Sequence, residues 1–335
     1  MDLFISTGSE NVVSYDPDSI TVLAYLYLGR CPIHLDDSLI NNAKFTRLPL
    51  LKHAGIETSG IKDILTYLRS QNYGLEYDLT DAKNVELVSL VAVIERQLMP
   101  ALDWFLWGED DVFVRFTRKC YTTRLSRLSA FYLPHQWRAN KIRRAKHSQL
   151  THCLRQMSES ERLNEAGYLF ELTIDPLSVS LYQLYILAKR CLTALSYILG
   201  KKTYFVDDRP TAVDAYLFGQ LWPLLLYESR HGTADWSMLG HAANYTGQSA
   251  SHPLIAHLLQ CPNLVAHFIR IQNEYFPKAA ASFRQDIAVN ASKRLQSANL
   301  FSNHPVRDCL LVGSGVLCLF FLYARHIGMI RIASA

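Results

Sequence analysis

The sequence lacks the short motifs that carry most enzyme chemistry. It holds no G-x-G-x-x-G, no phosphate-cradling G-x-x-x-x-G-K-[ST], no H-E-x-x-H and no G-x-S-x-G. Without them, a dinucleotide fingerprint, a P-loop, a helical zinc protease site and a nucleophile elbow are excluded. Cysteine is sparse and unpatterned. Cys31, Cys120, Cys153, Cys191, Cys261, Cys309 and Cys318 include no C-x-x-C, so neither a disulfide framework nor a thiolate zinc site is indicated. The histidines are scattered. His147 and His152, like His252 and His257, are five apart, a spacing that suits no helical metal pair. No catalytic residue, metal ligand or cofactor-binding residue is assigned. Charge of one sign is also scarce: charged residues make up 19% and the net charge is +4, too little to argue for nucleic acid. The opening MDLFISTGSENVV has no basic stretch followed by an apolar run, so no N-terminal targeting segment is expected there.

What is present is apolar material. Hydrophobic residues make up 49% of 335, enough for a sizeable core in one large or two smaller domains. Residues 2–6 suit a short buried strand, and 17–30 a helix with Asp16 as its cap and Pro17 in its first turn. Residues 31–36 and 46–53 suit further strands, with His53-Ala54-Gly55 as a turn. A helix over 59–71 places Ile61, Ile64, Leu65 and Leu68 on one face. The polar stretch 73–84 reads as a linker. Beyond it the pattern is helical: 85–107, divided at Pro100; 181–199, stopped by Gly200; 212–228; and 262–276. The fold class expected is α+β and mainly helical, with domains at 1–72 and 85–280.

After Phe276 the character changes. Residues 281–308 are small and polar and read as a tether. CLLVGSGVLCLFFLYA follows at 309–324 without a charged residue, flanked by Arg307 and Arg325. A span of lipid needs about 17–25 apolar residues. With Arg325 snorkelling and Ile327 extending the surface, 309–327 is expected to be a transmembrane tail anchor. A short anchor with basic flanks favours the thin mitochondrial outer membrane, leaving the bulk of the chain facing the cytosol.

The most informative stretch is LGKKTYFVDDRPTAVDAYLFGQL at 199–221. Thr211 and Asp214 have capping-box spacing just after Pro210. They open a helix apolar on nearly all sides, so the box is read as structural: the hydroxyl caps the helix and the carboxylate reaches back to the cap's own N–H. A buried start of this kind contributes about 1–2 kcal/mol.

This combination resembles the glutathione-transferase fold, a thioredoxin-like N-terminal domain followed by a helical domain with a buried capping box. Leu48-Pro49-Leu50-Leu51 resembles that family's pre-strand proline, usually cis, and Ile64-x-x-Tyr67-Leu68 its following helix. More narrowly the chain is similar to the metaxins. The matching stretches, in order, are Trp104-x-x-Trp107-Gly108, Phe131-Tyr132-Leu133-Pro134 before a basic helix, Leu199 to Phe205, Asp208-Arg209-Pro210-Thr211, and Cys261-Pro262-Asn263-Leu264. The resemblance implies a non-catalytic, cytosol-facing subunit of the mitochondrial sorting and assembly machinery. Such a subunit helps pass β-barrel precursors from the import pore to a membrane-embedded β-barrel insertase. It implies as partners that insertase, a second metaxin-like subunit, import-pore components, the precursors and membrane lipid. Two other readings stand beside it: a membrane-tethered glutathione transferase, and a tail-anchored adaptor of another mitochondrial complex.

Transferase chemistry needs a Tyr, Ser or Cys after the first strand and a Glu-Ser pair opening the helix before Ile64. Gly60 and Ile61 occupy the Glu-Ser places, and Ile61 offers no hydrogen bond to a carboxylate. Glu57-Thr58-Ser59 lies just upstream, where a shifted loop could supply the pair. Ser6, Thr7, Ser9, Ser14 and Tyr15 all follow the first strand, and spacing singles out none of them. Finally, Arg138, Lys141, Arg143, Arg144 and Lys146 form a basic helical stretch beside Phe131, Tyr132 and Trp137. It reads either as a solvated face or as an interface for lipid or an acidic partner.

Overall fold

In the computed structural model, residues 1–6, 8, 12–36, 48–122, 125, 127–156, 176–231, 252–281 and 285 are described. Residues 1–284 form one compact unit. The tether and tail expected at 281–308 and 309–327 lie outside the described residues, save 281 and 285.

The chain opens with β1 (Asp2–Phe4), α1 (Pro17–Leu28) and β2 (His34–Asp36), then β3 (Leu50–His53), β4 (Ile56–Ser59) and α2 (Ile61–Ser70). The sheet order is β2-β1-β3-β4. β1 and β2 are parallel (Leu3 opposite Leu35), and the other pairs are antiparallel (Leu3 opposite Leu51, His53 opposite Ile56). This is the thioredoxin-like arrangement that the resemblance implies. The Leu48–Pro49 peptide is cis. β3 and β4 meet at Ala54-Gly55, both at positive φ (50° and 79°), the geometry of a two-residue hairpin turn. β4 had no strand signal of its own. It is four residues long and half-exposed, and register with β3 holds it rather than a buried face.

α1 starts where its cap requires: Asp16 Oδ2 accepts the Ser19 amide at 2.9 Å and the Ser19 hydroxyl at 2.7 Å. Nearly every side chain of α1 is buried, because the sheet covers one side and the helical layer the other.

That layer begins with α3 (Asp81–Val93), which starts inside the stretch read as a linker. It continues through a wide π turn (Ile94–Leu98), α4 (Met99–Asp103) and a second wide turn (Trp104–Gly108). Pro100 has no N–H to offer its preceding turn, and the helix widens just before it rather than breaking. At Gly108 a Cβ would come within 2.4 Å of the Trp104 ring, so glycine is what lets the chain close over that indole. α5 (Asp110–Val112), a further wide turn (Phe113–Thr117) and α6 (Arg118–Thr122) lead to α7 (Arg127–Gln156), whose described side chains run over 129–145. The Phe131–Pro134 stretch, expected to precede the basic helix, lies inside α7. Pro134 and Trp137 are buried on one face with Ala145, and that packing carries the helix through the proline.

α8 (Pro176–Leu199) ends at Gly200, at φ 50°, in the left-handed conformation glycine favours. α9 (Ala212–His231) is the core: Ala212 through Ser229 are all buried. Gly219 meets α1 so closely that a Cβ would stand 2.0 Å from Thr21 Oγ1 and 2.7 Å from its amide nitrogen. α10 (Pro253–Leu259) and α11 (Pro262–Tyr275) close the layer, where Phe218 of α9 stacks on Phe268 and Phe276 with ring centroids 4.8 and 5.1 Å away. Among the described residues no single helix is long and apolar enough to cross a membrane. α10 and α11 reach that composition only as a pair bent by 85°, and both bury residues in this core.

Candidate functional site: an occupied cleft and a basic helix

Three features of the sequence meet in this unit: the capping box, the place of a transferase site, and the basic stretch. The box lies at the start of α9, fully buried. Asp214 Oδ2 accepts the Thr211 amide at 2.8 Å and the Thr211 hydroxyl at 2.9 Å, and Oδ1 accepts the Phe205 amide at 3.3 Å. The carboxylate reaches back as the spacing predicts. The hydroxyl differs from expectation: it donates to Asp214, and the Asp214 amide goes to the Thr211 carbonyl at 3.1 Å. The Ala212 amide at the helix start is taken by Glu76 Oε1 at 3.0 Å. Burial pushes the Asp214 carboxyl up to about 7, against the pull of those N–H donors. His267 of α11 lies beside it, with Nε2 3.4 Å from Asp214 Oδ1. Its Nδ1 is 2.9 Å from the Arg270 guanidinium, a donor, and 3.2 Å from the Thr203 carbonyl, an acceptor, two neighbours that favour opposite tautomers. Burial, then the Arg270 charge, holds His267 down at about 4.

The cleft between the sheet and the helical layer encloses about 320 Å³. Its sheet-side wall holds Ser6, Leu48, the cis-Pro49, Ser59 and Gly60; Trp107, Tyr121, Trp137 and Lys141 stand opposite. Gly60, at φ 87°, is the residue before α2, and no side chain caps that helix. The glycine extends the hairpin end into the helix and leaves the Glu-Ser places without a hydroxyl. Ser59 is the hydroxyl that remains beside them. Glu57 is turned to Lys52 on β3, at 2.8 Å. After β1, Ser14 donates to the Ser6 carbonyl at 2.6 Å, and Tyr15 is buried against Phe116 and contacted by Arg230. Thr7 and Ser9 lie outside the described residues.

The chain places its own ions in this cleft. Lys141 Nζ is 3.0 Å from Asp103 and 3.9 Å from Asp18, and Asp16 adds a third carboxylate nearby. Burial opposes the Lys141 charge, but the three carboxylates together outweigh it and raise its pKa. Burial pushes Asp16 up to about 6, with Asp18 adding to the shift. Such a cluster is tolerable in a half-dry cleft only because both signs are present.

The basic stretch is therefore divided. Lys141 faces inward. Arg138 also turns in, donating from Nε to the Trp107 carbonyl at 2.7 Å and from Nη2 to Gly108 and Asp110, with its guanidinium 4.5 Å over the Phe113 ring. Arg143 is exposed; Arg144, also largely exposed, lines the cleft, and its charge acts on Asp103. The Lys146 side chain lies outside what is described. Spacing alone did not separate these roles, because the partners Asp18, Asp103 and Asp110 come from elsewhere in the chain. The tie at Glu76 was also missed, since it lies in a polar stretch with no periodicity. Glu76 Oε2 accepts from Tyr25 Oη at 2.8 Å and Arg69 Nε at 3.1 Å, so this one carboxylate joins α1, α2 and the start of α9.

Comparison with known proteins bears on this geometry. The family model described as an outer mitochondrial membrane transport complex protein matches residues 19–138, and the glutathione S-transferase C-terminal domain model matches 188–231. Metaxin-1 of Mus musculus is 29% identical over 281 residues, covering 83% of this chain and 76% of its own. Metaxin-3 of Danio rerio is 26% identical over 301 residues (90% and 83%), and Metaxin-2 of Homo sapiens 20% over 273 (80% and 86%). Among solved structures, a β-etherase from Sphingobium sp. is 16% identical with a TM-score of 0.46, over 85% of this chain and 98% of its own. A delta-class glutathione transferase of Nilaparvata lugens is 12% identical with a TM-score of 0.42, over 86% and 98%. The sheet order and the matched C-terminal domain make the fold glutathione-transferase-like and mainly helical. Aligned along most of its length with Metaxin-1, Metaxin-2 and Metaxin-3, the chain is a homologue of the metaxins.

Proposed function

We propose that this chain is a non-catalytic subunit of the mitochondrial outer-membrane sorting and assembly machinery. In this reading it aids the transfer of β-barrel precursors from the import pore to the β-barrel insertase, beside a second metaxin-like subunit. The observation that carries the reading is the family match over residues 19–138 to an outer mitochondrial membrane transport complex protein. The cleft supports the non-catalytic part: Gly60 and Ile61 stand at the Glu-Ser places, and Lys141 with its carboxylates stands opposite them. The anchor proposed at 309–327 would hold the folded unit on the cytosolic side.

The test is assembly. In mitochondria depleted of the chain, a newly imported β-barrel precursor should accumulate short of its membrane-inserted form, while a matrix-targeted precursor imports normally. Equal assembly with and without the chain would contradict the reading and favour an adaptor role in another complex. Ser59 beside Gly60 is the observation that favours a tethered transferase instead. Retention on immobilised glutathione with turnover of a generic electrophile would establish that alternative.

A further inference from the structure

The charges that meet in the cleft do not balance. Three carboxylates (Asp16, Asp18 and Asp103) act on two cations (Lys141 and Arg144), leaving −1 (2 − 3). Lys141 Nζ sits 3.0 Å from Asp103, and the Arg144 charge also bears on Asp103. Asp18 fares less well: Lys141 Nζ is 3.9 Å away, beyond hydrogen-bond distance. Asp16 spends Oδ2 on the Ser19 amide and hydroxyl, both in the first turn of its own helix. Asp16 and Asp18 both line the cleft, and the charge of Asp18 adds to the burial that disfavours ionised Asp16. One further cation beside them would relieve both effects.

A run of rings lines the same cleft. Trp107 and Tyr121 have centroids 5.1 Å apart, and Tyr121 and Trp137 6.2 Å. Arg138, bonded to the Trp107 and Gly108 carbonyls, fixes the turn that carries the first ring. In the middle of the run the Tyr121 hydroxyl is buried and meets no hydrogen-bonding partner among the described residues. It lies in the field of Asp16, Asp18 and Asp103. Burying a hydroxyl unpaired is unfavourable, so one at a cleft wall marks a place for a ligand atom. Carboxylates beside aromatic rings suit an ammonium group on an apolar stem. Its N–H groups meet the carboxylates, while the rings attract the charge and cover the methylenes. The 320 Å³ of the cleft is at the small end of ligand cavities, about 300–1,000 Å³. We propose that the cleft binds a primary alkylammonium group, held by Asp18 and Asp16 and the Tyr121 hydroxyl, with its stem along Trp107 and Trp137. A free amine and a lysine side chain of a polypeptide both carry this chemistry. An anion fits worse, because Lys141 is already taken by carboxylates of the chain. The inference goes beyond the role in precursor transfer and does not depend on it.

The experiment is calorimetric titration of the full-length chain in detergent. One arm uses n-butylammonium, with neutral n-butanol and anionic butyrate as controls of the same length. The other uses a capped tripeptide with a central lysine, against its norleucine counterpart. The chain should take up the ammonium probe at one site, and n-butanol should bind about tenfold more weakly. Asp18→Asn should weaken the ammonium probe by about tenfold and Tyr121→Phe by about threefold. Tyr121→Phe has no protein partner to lose, so its unfolding midpoint should stay at the wild-type value while its affinity falls. Asp208→Asn, at an exposed carboxylate outside the cleft, should change neither. Uptake of n-butylammonium alone assigns the site to free amines; uptake of the lysine peptide, and not of the norleucine one, assigns it to a polypeptide side chain. Absence of saturable binding in both arms would overturn the proposal. So would equal affinity for n-butylammonium and n-butanol, preference for butyrate, or affinities that Asp18→Asn and Tyr121→Phe leave unchanged. Because no precursor is present, failure of the transfer reading would leave this result unchanged.

Discussion

At the scale of single residues, burial and partners separate cations that look equivalent in sequence. Lys141 is tied to Asp103 and Asp18 inside the cleft, whereas Arg143, two positions on, is exposed. Lys141→Met leaves buried carboxylates uncompensated and should cost about 3–5 kcal/mol, while Arg143→Ala should stay within about 0.5 kcal/mol. Urea unfolding of the two variants measures the difference. Asp214 and His267 make a second test. In the folded chain the Asp214 carboxyl is raised from 3.8 to about 7, so the folded state holds its proton more tightly than the unfolded one, and its contribution to stability declines as pH rises between those values. His267 is lowered from 6.5 to about 4, so its contribution grows with pH across that window. The two oppose each other between about 4 and 6.5. Relative to wild type, His267→Gln should therefore lose stability as pH rises through this window, and Asp214→Asn should gain it. Parallel unfolding midpoints for all three proteins would contradict the assignment.

At the scale of elements, two contacts set how the sheet domain meets the helices. Glu76 accepts hydrogen bonds from α1, α2 and the first turn of α9 with its side chain only 7% exposed. Glu76→Ala leaves those donors without an acceptor and should cost about 2–4 kcal/mol; Glu76→Gln keeps an acceptor and should cost less. Gly219 sets the approach of α9 to α1. Gly219→Ala should destabilise by about 1–3 kcal/mol. Thr21→Ala should relieve only part of that cost, because the Thr21 backbone is also within 3 Å of the added Cβ. Thermal unfolding of the single and double variants tests both statements.

The same elements show what was legible beforehand. α1 with its Asp16 cap, α2, the stop at Gly200 and the start of α9 were readable because caps, glycines and 3.6-residue periodicity are local signals. β4, the true extent of α7 through Pro134 and the inward turn of Arg138 were not. Each depends on a partner distant in sequence: β3 for β4, the buried face around Trp137 for α7, and the Trp107–Asp110 turn for Arg138. The Ala212 amide belongs with them, since its acceptor Glu76 lies 136 residues away, whereas the Thr211 hydroxyl is reversed locally, the Thr211 carbonyl already taking the Asp214 amide. The site was legible as a place, through cis-Pro49 and Gly60, but not in its contents, because Lys141 and Asp103 come from the other domain.

At the scale of the whole molecule, a transferase-like frame carries metaxin relatives along most of its length, an interdomain cleft lined with its own ion cluster, and a net-acidic body against one strongly basic helix. The proposed role as a non-catalytic subunit of an outer-membrane complex rests on those features together with the family match. The most direct measurement is affinity purification of the tagged full-length chain from gently solubilised mitochondria, with mass spectrometry of the proteins that accompany it. The account predicts stoichiometric recovery of an outer-membrane β-barrel insertase together with another metaxin. Recovery of the chain alone, or with an unrelated complex, would contradict it.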